Sequence, residues 1–297
     1  MNDTLTRFVL DSSPVRGGVV RLNDAFATAI NDHAYPAPVA RALGELLAAT
    51  TLLGSSLKWE GALVLQMQSE GALKLLCAES DNQLNVRAVA TVEGSIEKND
   101  ALGDMMSDGR VVITLDPKGI EGSAQMYQGI VALNPTGVAA TLEDYMLQSQ
   151  QVQTCIVLAA SLENGKVCAA GFLVQKLPGD DTASIAGYEH IVALTRTLKA
   201  EELLTLDAQT LLTRLFHEET VRVLPGQRVQ FFCPCTEERV LNALRLMGQE
   251  EVDSIIAERR SLEARCQFCN LLYRFGAPEM NVLFSGQGNV SGSQTQH

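Results

Sequence analysis

Four cysteines near the C-terminus stand in two close pairs, Cys233-Pro234-Cys235 and Cys266-Gln267-Phe268-Cys269, with residues 236–265 between them. Two pairs of soft sulfur donors meet the demand of tetrahedral zinc for four thiolates, each pair offering two ligands from one short stretch of chain. One zinc ion per chain, held by Cys233, Cys235, Cys266 and Cys269, is therefore the chemistry expected here. Most four-cysteine sites are structural. The first pair, however, is Cys-x-Cys rather than Cys-x-x-Cys, and thiols that close in sequence can oxidise to a strained, easily reduced bridge. Spacing alone leaves a purely structural site and a redox-sensitive one both open.

No other residues form a comparable constellation. Cys77, Cys155 and Cys168 lie singly in apolar stretches and read as small core residues. Seven cysteines are an odd number, which argues against a disulfide framework. His217-Glu218-Glu219 opens like a metalloprotease motif but lacks a second histidine at the required spacing, so His217 reads as an ordinary helix residue. His33, ahead of Tyr35-Pro36, reads as a turn residue. Gly286-Gln287-Gly288 follows no strand, and no Gly-x-Ser-x-Gly elbow occurs. No catalytic residue is identified, and a non-enzyme is expected.

The zinc ligands need a scaffold. Between the pairs, Thr236-Glu237-Glu238-Arg239 caps and opens one helix, and Glu250 to Ile256 supplies another. Residues 231–284 thus form a small module with too little core to be secure without a staple. Upstream, residues 1–178 read as one mixed domain. Pro36 to Lys58 is a long apolar helix expected to be buried, followed by strands at Leu63–Gln68, Leu73–Ala78, Val86–Val92, Val111–Leu115 and Gln128–Leu133. Thr141–Gln150 is helical, and Thr154–Ser161 pairs with Val167–Lys176 around an Asn164-Gly165 hairpin. Short turns between strands favour antiparallel pairing, hence an α+β class with a mainly antiparallel N-terminal domain. Residues 179–230 read as a helical linker with apolar positions at helical spacing, Asp207 being the N-cap of its last helix. Residues 285–297 read as a disordered tail.

The chain has 297 residues and a net charge of −12. That balance, with five arginines against seven acids between 233 and 269, is a poor start for binding phosphate backbones, so no nucleic-acid partner is expected. No apolar run is long enough for a membrane span, and Met1-Asn2-Asp3-Thr4 lacks the basic and apolar regions of a signal peptide, so a cytoplasmic protein is expected. Two alternatives are carried forward: a structural zinc ribbon that contacts nucleic acid, and a thiol–disulfide oxidoreductase. The second would want a low-pKa cysteine at a helix start in a thioredoxin-like pattern, which the surroundings do not offer.

With the two cysteine pairs as its most specific mark, the sequence resembles the redox-regulated heat-shock protein 33 family of 33-kDa holdase chaperones. Support runs through Val15-Arg16-Gly17, His33-Ala34-Tyr35-Pro36, Leu142-Glu143-Asp144-Tyr145, Glu201 to Leu206, Phe216-His217-Glu218-Glu219 and Glu251 to Ile255. After the fourth cysteine the family often has Gly; Asn270 stands here and also tolerates positive φ. The resemblance implies an ATP-independent chaperone that holds zinc when reduced. It implies that oxidation joins Cys233 to Cys235 and Cys266 to Cys269, expels the metal and loosens the linker. Ile191, Leu194, Leu198, Leu211 and Leu215 would then bind unfolded or partly unfolded client proteins, and the oxidised form would be a homodimer.

Overall fold

The fold is that of a computed structural model, which describes residues 3–56, 61–117, 127–163, 167–179 and 182–285. The chain divides into two compact units, Met1–Phe232 and Cys233–His297. In the first, β1 (Thr4–Leu10) and β2 (Val15–Leu22) lead into α1 (Asp24–Ile30) and α2 (Ala37–Gly54). A meander of β3 (Gly61–Gln68), β4 (Leu73–Asp81) and β5 (Asn85–Val92) follows, then the short α3 (Leu102–Met105), β6 (Arg110–Pro117) and β7 (Tyr127–Ala132). Next come α4 (Val138–Gln150), β8 (Thr154–Ser161), β9 (Cys168–Lys176), α5 (Thr182–Thr195), α6 (Ala200–Thr205) and α7 (Ala208–Leu215). Three short strands, β10 (Val221–Val223), β11 (Gln227–Arg228) and β12 (Gln230–Phe231), close the unit.

These strands build two six-stranded sheets. One runs β10-β1-β2-β9-β8, with β11 also on β1; the other runs β12-β5-β4-β3-β6-β7. Every pair is antiparallel except β12 with β5, so the α+β expectation holds. The expected hairpin strands pair in register, Ser161 opposite Cys168; the Asn164-Gly165 turn itself lies outside the described residues.

Helix α2 lies between the sheets, and its residues join one cluster with Leu5 and Val20 of the first sheet and Leu65 and Leu76 of the second. A helix packed between two sheets has little polar face to show, which is why this segment is mostly apolar, with Arg41 and Glu45 its half-buried charges. It ends at Gly54 rather than Lys58, and Lys58 lies outside the described residues. The far face of the first sheet carries a second cluster, where Phe8, Val19, Phe172 and Val174 meet Tyr188, Ile191, Leu203, Leu211 and Phe216 of the α5–α7 segment. Because both faces are covered, β9 is buried along almost its whole length and shows no alternation.

Residues 179–230, set apart in the sequence as a helical linker, thus pack on the first unit and include strands as well as helices. Strands β1 and β2, which sequence patterning did not single out, are interrupted by Gly17-Gly18. A Cβ at Gly17 would lie 2.2 Å from Phe8 Cζ and 2.6 Å from the Leu173 carbonyl oxygen. Glycine there lets the Phe8, Phe172 and Phe216 rings gather with centroids 5.6–6.1 Å apart.

The second unit holds α8 (Glu237–Met247), α9 (Gln249–Arg259), a two-stranded hairpin of β13 (Leu262–Arg265) and β14 (Leu272–Phe275), and α10 (Ala277–Ser285). Ser285, placed in the sequence at the start of a disordered tail, is the last residue of α10; the rest of that tail lies outside the described residues. The core of this unit is Leu244, Val252, Leu262, Phe275, Met280, Leu283 and Phe284. Seven buried side chains are few for so many ordered residues, so further cross-linking is needed.

Candidate metal centre

The second cysteine pair sits in the turn of the β13–β14 hairpin. Leu262 pairs with Phe275 and Arg265 with Leu272, which brings the ends of Cys266–Leu271 together. Cys266 N donates to Leu271 O at 3.0 Å, and Asn270 N donates to Cys266 O at 2.9 Å. Asn270 takes the left-handed conformation that closes this turn, with φ 59°. Its carbonyl accepts from Arg265 Nη1 at 3.3 Å. The first pair lies in the extended stretch between β12 and α8. There Thr236 Oγ1 accepts from Arg239 N at 3.3 Å, capping α8 as the sequence predicts.

Folding brings all four sulfurs together: the Sγ atoms of Cys233, Cys235, Cys266 and Cys269 lie within 4.8 Å of one another. Cys233 Sγ is 3.6 Å from Cys266 Sγ, and Cys235 Sγ is 3.3 Å from Cys269 Sγ. Zinc–sulfur bonds of about 2.3 Å in a tetrahedron place the ligands about 3.8 Å apart. The two close pairs lie within about half an ångström of that value and all four within 4.8 Å, so these residues fit a tetrahedral metal ion. All four are half-buried, which leaves them open to metal, chelator or oxidant.

A fifth residue joins the group. Tyr273 Oη of β14 donates to Cys235 Sγ at 3.3 Å. Burial alone would raise the Cys235 thiol, but the bonds from Tyr273 and the neighbouring thiols outweigh it and hold Cys235 below the usual thiol range. Burial, with help from neighbouring thiols, pushes Cys233 and Cys269 up. Sulfurs this close cannot all ionise without a cation between them. Sequence reasoning missed Tyr273 and the hairpin. The available signal was the alternation Leu262-Glu263-Ala264-Arg265 and Leu272-Tyr273-Arg274-Phe275 flanking the Cys-x-x-Cys.

The other candidates lie apart. Cys77, Cys155 and Cys168 are buried; burial pushes the first two up to about 11 and raises the third. They are core residues without thiolate character. His217 is not in a helix: it sits in the exposed turn after α7, its Nε2 3.7 Å from Glu218. His33 stacks on Tyr35 with ring centroids 4.9 Å apart, and Tyr35 Oη accepts from Ala90 N. Of the five expected client-binding residues, Ile191, Leu198, Leu211 and Leu215 are buried in the second cluster of the first unit, and Leu194 packs beside them. Asp207 caps α7, accepting from Thr210 N at 2.9 Å. Among the described residues, no helix is long and apolar enough to cross a membrane.

Comparison with known proteins gives one consistent result. A family model described as Hsp33 protein matches residues 3–276. The 33 kDa chaperonin of Methylobacillus flagellatus is 41% identical over 299 residues, covering 100% of this chain and 99% of the relative. The 33 kDa chaperonin of Haemophilus influenzae (strain PittGG) is 41% identical over 285 residues, covering 96% of each. The crystal structure of the 33 kDa chaperonin of Thermotoga maritima shares the fold, with a TM-score of 0.84 at 22% identity, over 96% of this chain and 98% of that one.

Proposed function

The chain belongs to the Hsp33 family of chaperones, and we propose that it is an ATP-independent holdase of the bacterial cytoplasm whose activity is switched by the redox state of its C-terminal sulfurs. The observation that carries this reading is the pairing of four half-buried sulfurs, all within 4.8 Å, with a unit that has only a small apolar core. Zinc bound by Cys233, Cys235, Cys266 and Cys269 would offset two of the four thiolate charges and tie the β13–β14 hairpin to the start of α8. Such ions contribute about 10–16 kcal/mol to small domains.

In the reduced state Ile191, Leu198, Leu211 and Leu215 stay buried, and no client can reach them. Oxidation joins Cys233 to Cys235 and Cys266 to Cys269. Each new S–S bond takes two electrons from a thiolate pair; a peroxide-class oxidant accepts them together with two protons from solvent and leaves as two waters. Sulfurs tied in this way offer no thiolates to a metal. The close sulfur contacts are the cross pairs, Cys233 with Cys266 at 3.6 Å and Cys235 with Cys269 at 3.3 Å, so proximity alone does not favour the local bridges among the three pairings. Short loops cost least to close, however, and local bridges remove the long-range staple that cross-links would preserve. The 231–284 module then unfolds, residues 179–230 loosen, and their apolar faces, with those of Leu194 and its neighbours, bind unfolding proteins. Two such chains form the active homodimer. The relatives are chaperonins by name, and the reading needs no catalytic residue.

The test is aggregation suppression by zinc-loaded reduced protein and by peroxide-treated protein, side by side. Suppression confined to the oxidised form is expected; equal activity in both states overturns the switch. Mass spectrometry of the oxidised protein digested without reduction should find the two local bridges. Dominant peptides joining Cys233 or Cys235 to Cys266 or Cys269 would overturn the pairing.

A further inference from the structure

Away from the sulfurs, the first sheet and the C-terminal end of α2 enclose a cavity of about 170 Å³, lined among others by Arg7, Arg16, Leu52, Ser55, Ser56 and Gln175. Arg7 on β1 lies opposite Gly18, and Arg16 on β2 lies opposite Val9. Both arginines therefore stand on the face of the sheet that α2 covers. The lining contains no acidic residue.

In a chain of net charge −12, five arginines of the described residues, Arg87, Arg196, Arg214, Arg222 and Arg274, pair with a carboxylate, and Arg7 and Arg16 are not among them. Arg16 instead donates from Nε and Nη2 to Oε1 of Gln175, at 3.1 and 2.9 Å. Gln175 is itself 1% exposed, and its Nε2 donates to Thr154 Oγ1 at 3.2 Å. The guanidinium of Arg16 is thus held in place by a buried amide, with three N–H groups still unused. Arg7 Nε is buried with no hydrogen-bond partner among the described residues. The negative end of α2 offsets only about half a charge of the two. Both arginines are half-buried, and a cavity that gathers two guanidinium groups, one with a buried unpaired N–H, and no carboxylate favours an anion.

We propose that this cavity binds a phosphate-sized tetrahedral oxoanion between Arg7 and Arg16. Arg7 offers five N–H groups and Arg16 three more, a better match for an oxoanion with three or four oxygens than for a carboxylate with two. At about 30 Å³ per water, the volume takes a phosphate and a few waters but not a nucleotide. The ligand is either free phosphate or the phosphate of a small ester.

Calorimetric titration of the full zinc-loaded chain with inorganic phosphate, at ionic strength balanced with chloride, tests this. Saturable one-to-one binding is expected, weakened about tenfold or more in Arg7→Gln and in Arg16→Gln. Arg7→Lys, which keeps the charge but loses the fork, should retain part of the affinity. In parallel, the Arg7 Nε–H resonance of the unaltered protein should shift on phosphate addition, a readout independent of how any variant folds. Phenyl phosphate binding as tightly as inorganic phosphate would identify an ester as the ligand; binding of inorganic phosphate alone would identify the free ion. Absence of saturable heat at millimolar phosphate, an unmoved Arg7 resonance, or acetate binding as tightly as phosphate overturns the assignment.

Discussion

The first unit closes two large apolar clusters, one around α2 and one beneath α5–α7, whereas the second closes a single cluster of seven buried side chains beside four half-buried sulfurs. Cysteine occurs in both, with opposite character. Cys77, Cys155 and Cys168 are buried and pushed up in pKa, so they stay protonated and inert. The four in the second unit face one another with solvent at hand. If folding of the second unit depends on its sulfurs, as the proposed switch requires, sulfur chemistry can unfold it while the apolar first unit persists.

The largest effect should come from removing the sulfur cross-link. Cys266→Ser, or chelation with oxidation, should remove about 10 kcal/mol of metal-linked stability, more than the seven-residue core can replace. Hydrogen exchange should show lost protection across Cys233–Ser285, while β2, β4 and β9 stay protected. Uniform loss across both units would break the distinction between them.

Next in size is a cavity in the large core. Leu211 is 1% exposed, so Leu211→Ala should cost the first unit about 2–5 kcal/mol by urea unfolding. The same change at Leu246 in the second unit, 90% exposed, should cost less than about 0.5 kcal/mol. In the holdase reading, Leu211→Ala also loosens α7 and gives the reduced protein measurable aggregation suppression. Similar costs at the two positions would show that the second unit packs more than its cluster indicates.

Much of this architecture was legible in the sequence. The meander of β3, β4 and β5 reads from alternation and turn residues because each strand has one better-buried face. Strands β1 and β2 do not, because Gly17 exists to admit the Phe8 ring and arginines occupy a face that α2 covers. Such residues answer to tertiary contacts that no local pattern carries. At the site the four ligands follow from composition and spacing, but Tyr273 does not: its link to Cys235 spans 38 positions and exists only once β14 has paired with β13. The apolar spacing of 182–215 identifies helices but not their partner, the far face of the first sheet.

A smaller effect concerns pH. Glu45, within α2 and largely enclosed, is pushed up to about 7 by burial, against a smaller opposing pull from Arg41. A carboxyl raised above its unfolded value binds its proton more tightly in the folded state, so the native state is favoured most at low pH. That contribution is lost as pH rises from about 4.5 to about 7 and is constant above. Glu45→Gln should remove this slope and raise stability of the first unit at pH 8 by about 2 kcal/mol, with little change at pH 4.5. Urea midpoints at the two pH values measure it. An unchanged slope in the variant would mean that the carboxyl reaches water.

The smallest predicted effect tests whether the second unit holds its sulfurs by more than the metal. Tyr273 Oη donates to Cys235 Sγ across 3.3 Å, from a strand whose neighbour Phe275 is buried in the small core. The bond therefore joins the apolar cluster to the ligand set. A donor to a metal-bound thiolate spreads its charge and fixes its direction, and loss of such a contact typically costs about tenfold in metal affinity, or about 1.4 kcal/mol. Tyr273→Phe keeps the ring and removes only the hydroxyl, so the hairpin register should survive. Zinc competition against a chromogenic chelator should show the tenfold loss, and peroxide should release the metal faster because Cys235 is less restrained. A variant with wild-type affinity would mean that the four sulfurs alone define the site. A loss as large as that of Cys266→Ser would mean instead that the hairpin is held through Tyr273, moving the weak point of the unit from sulfur to phenol.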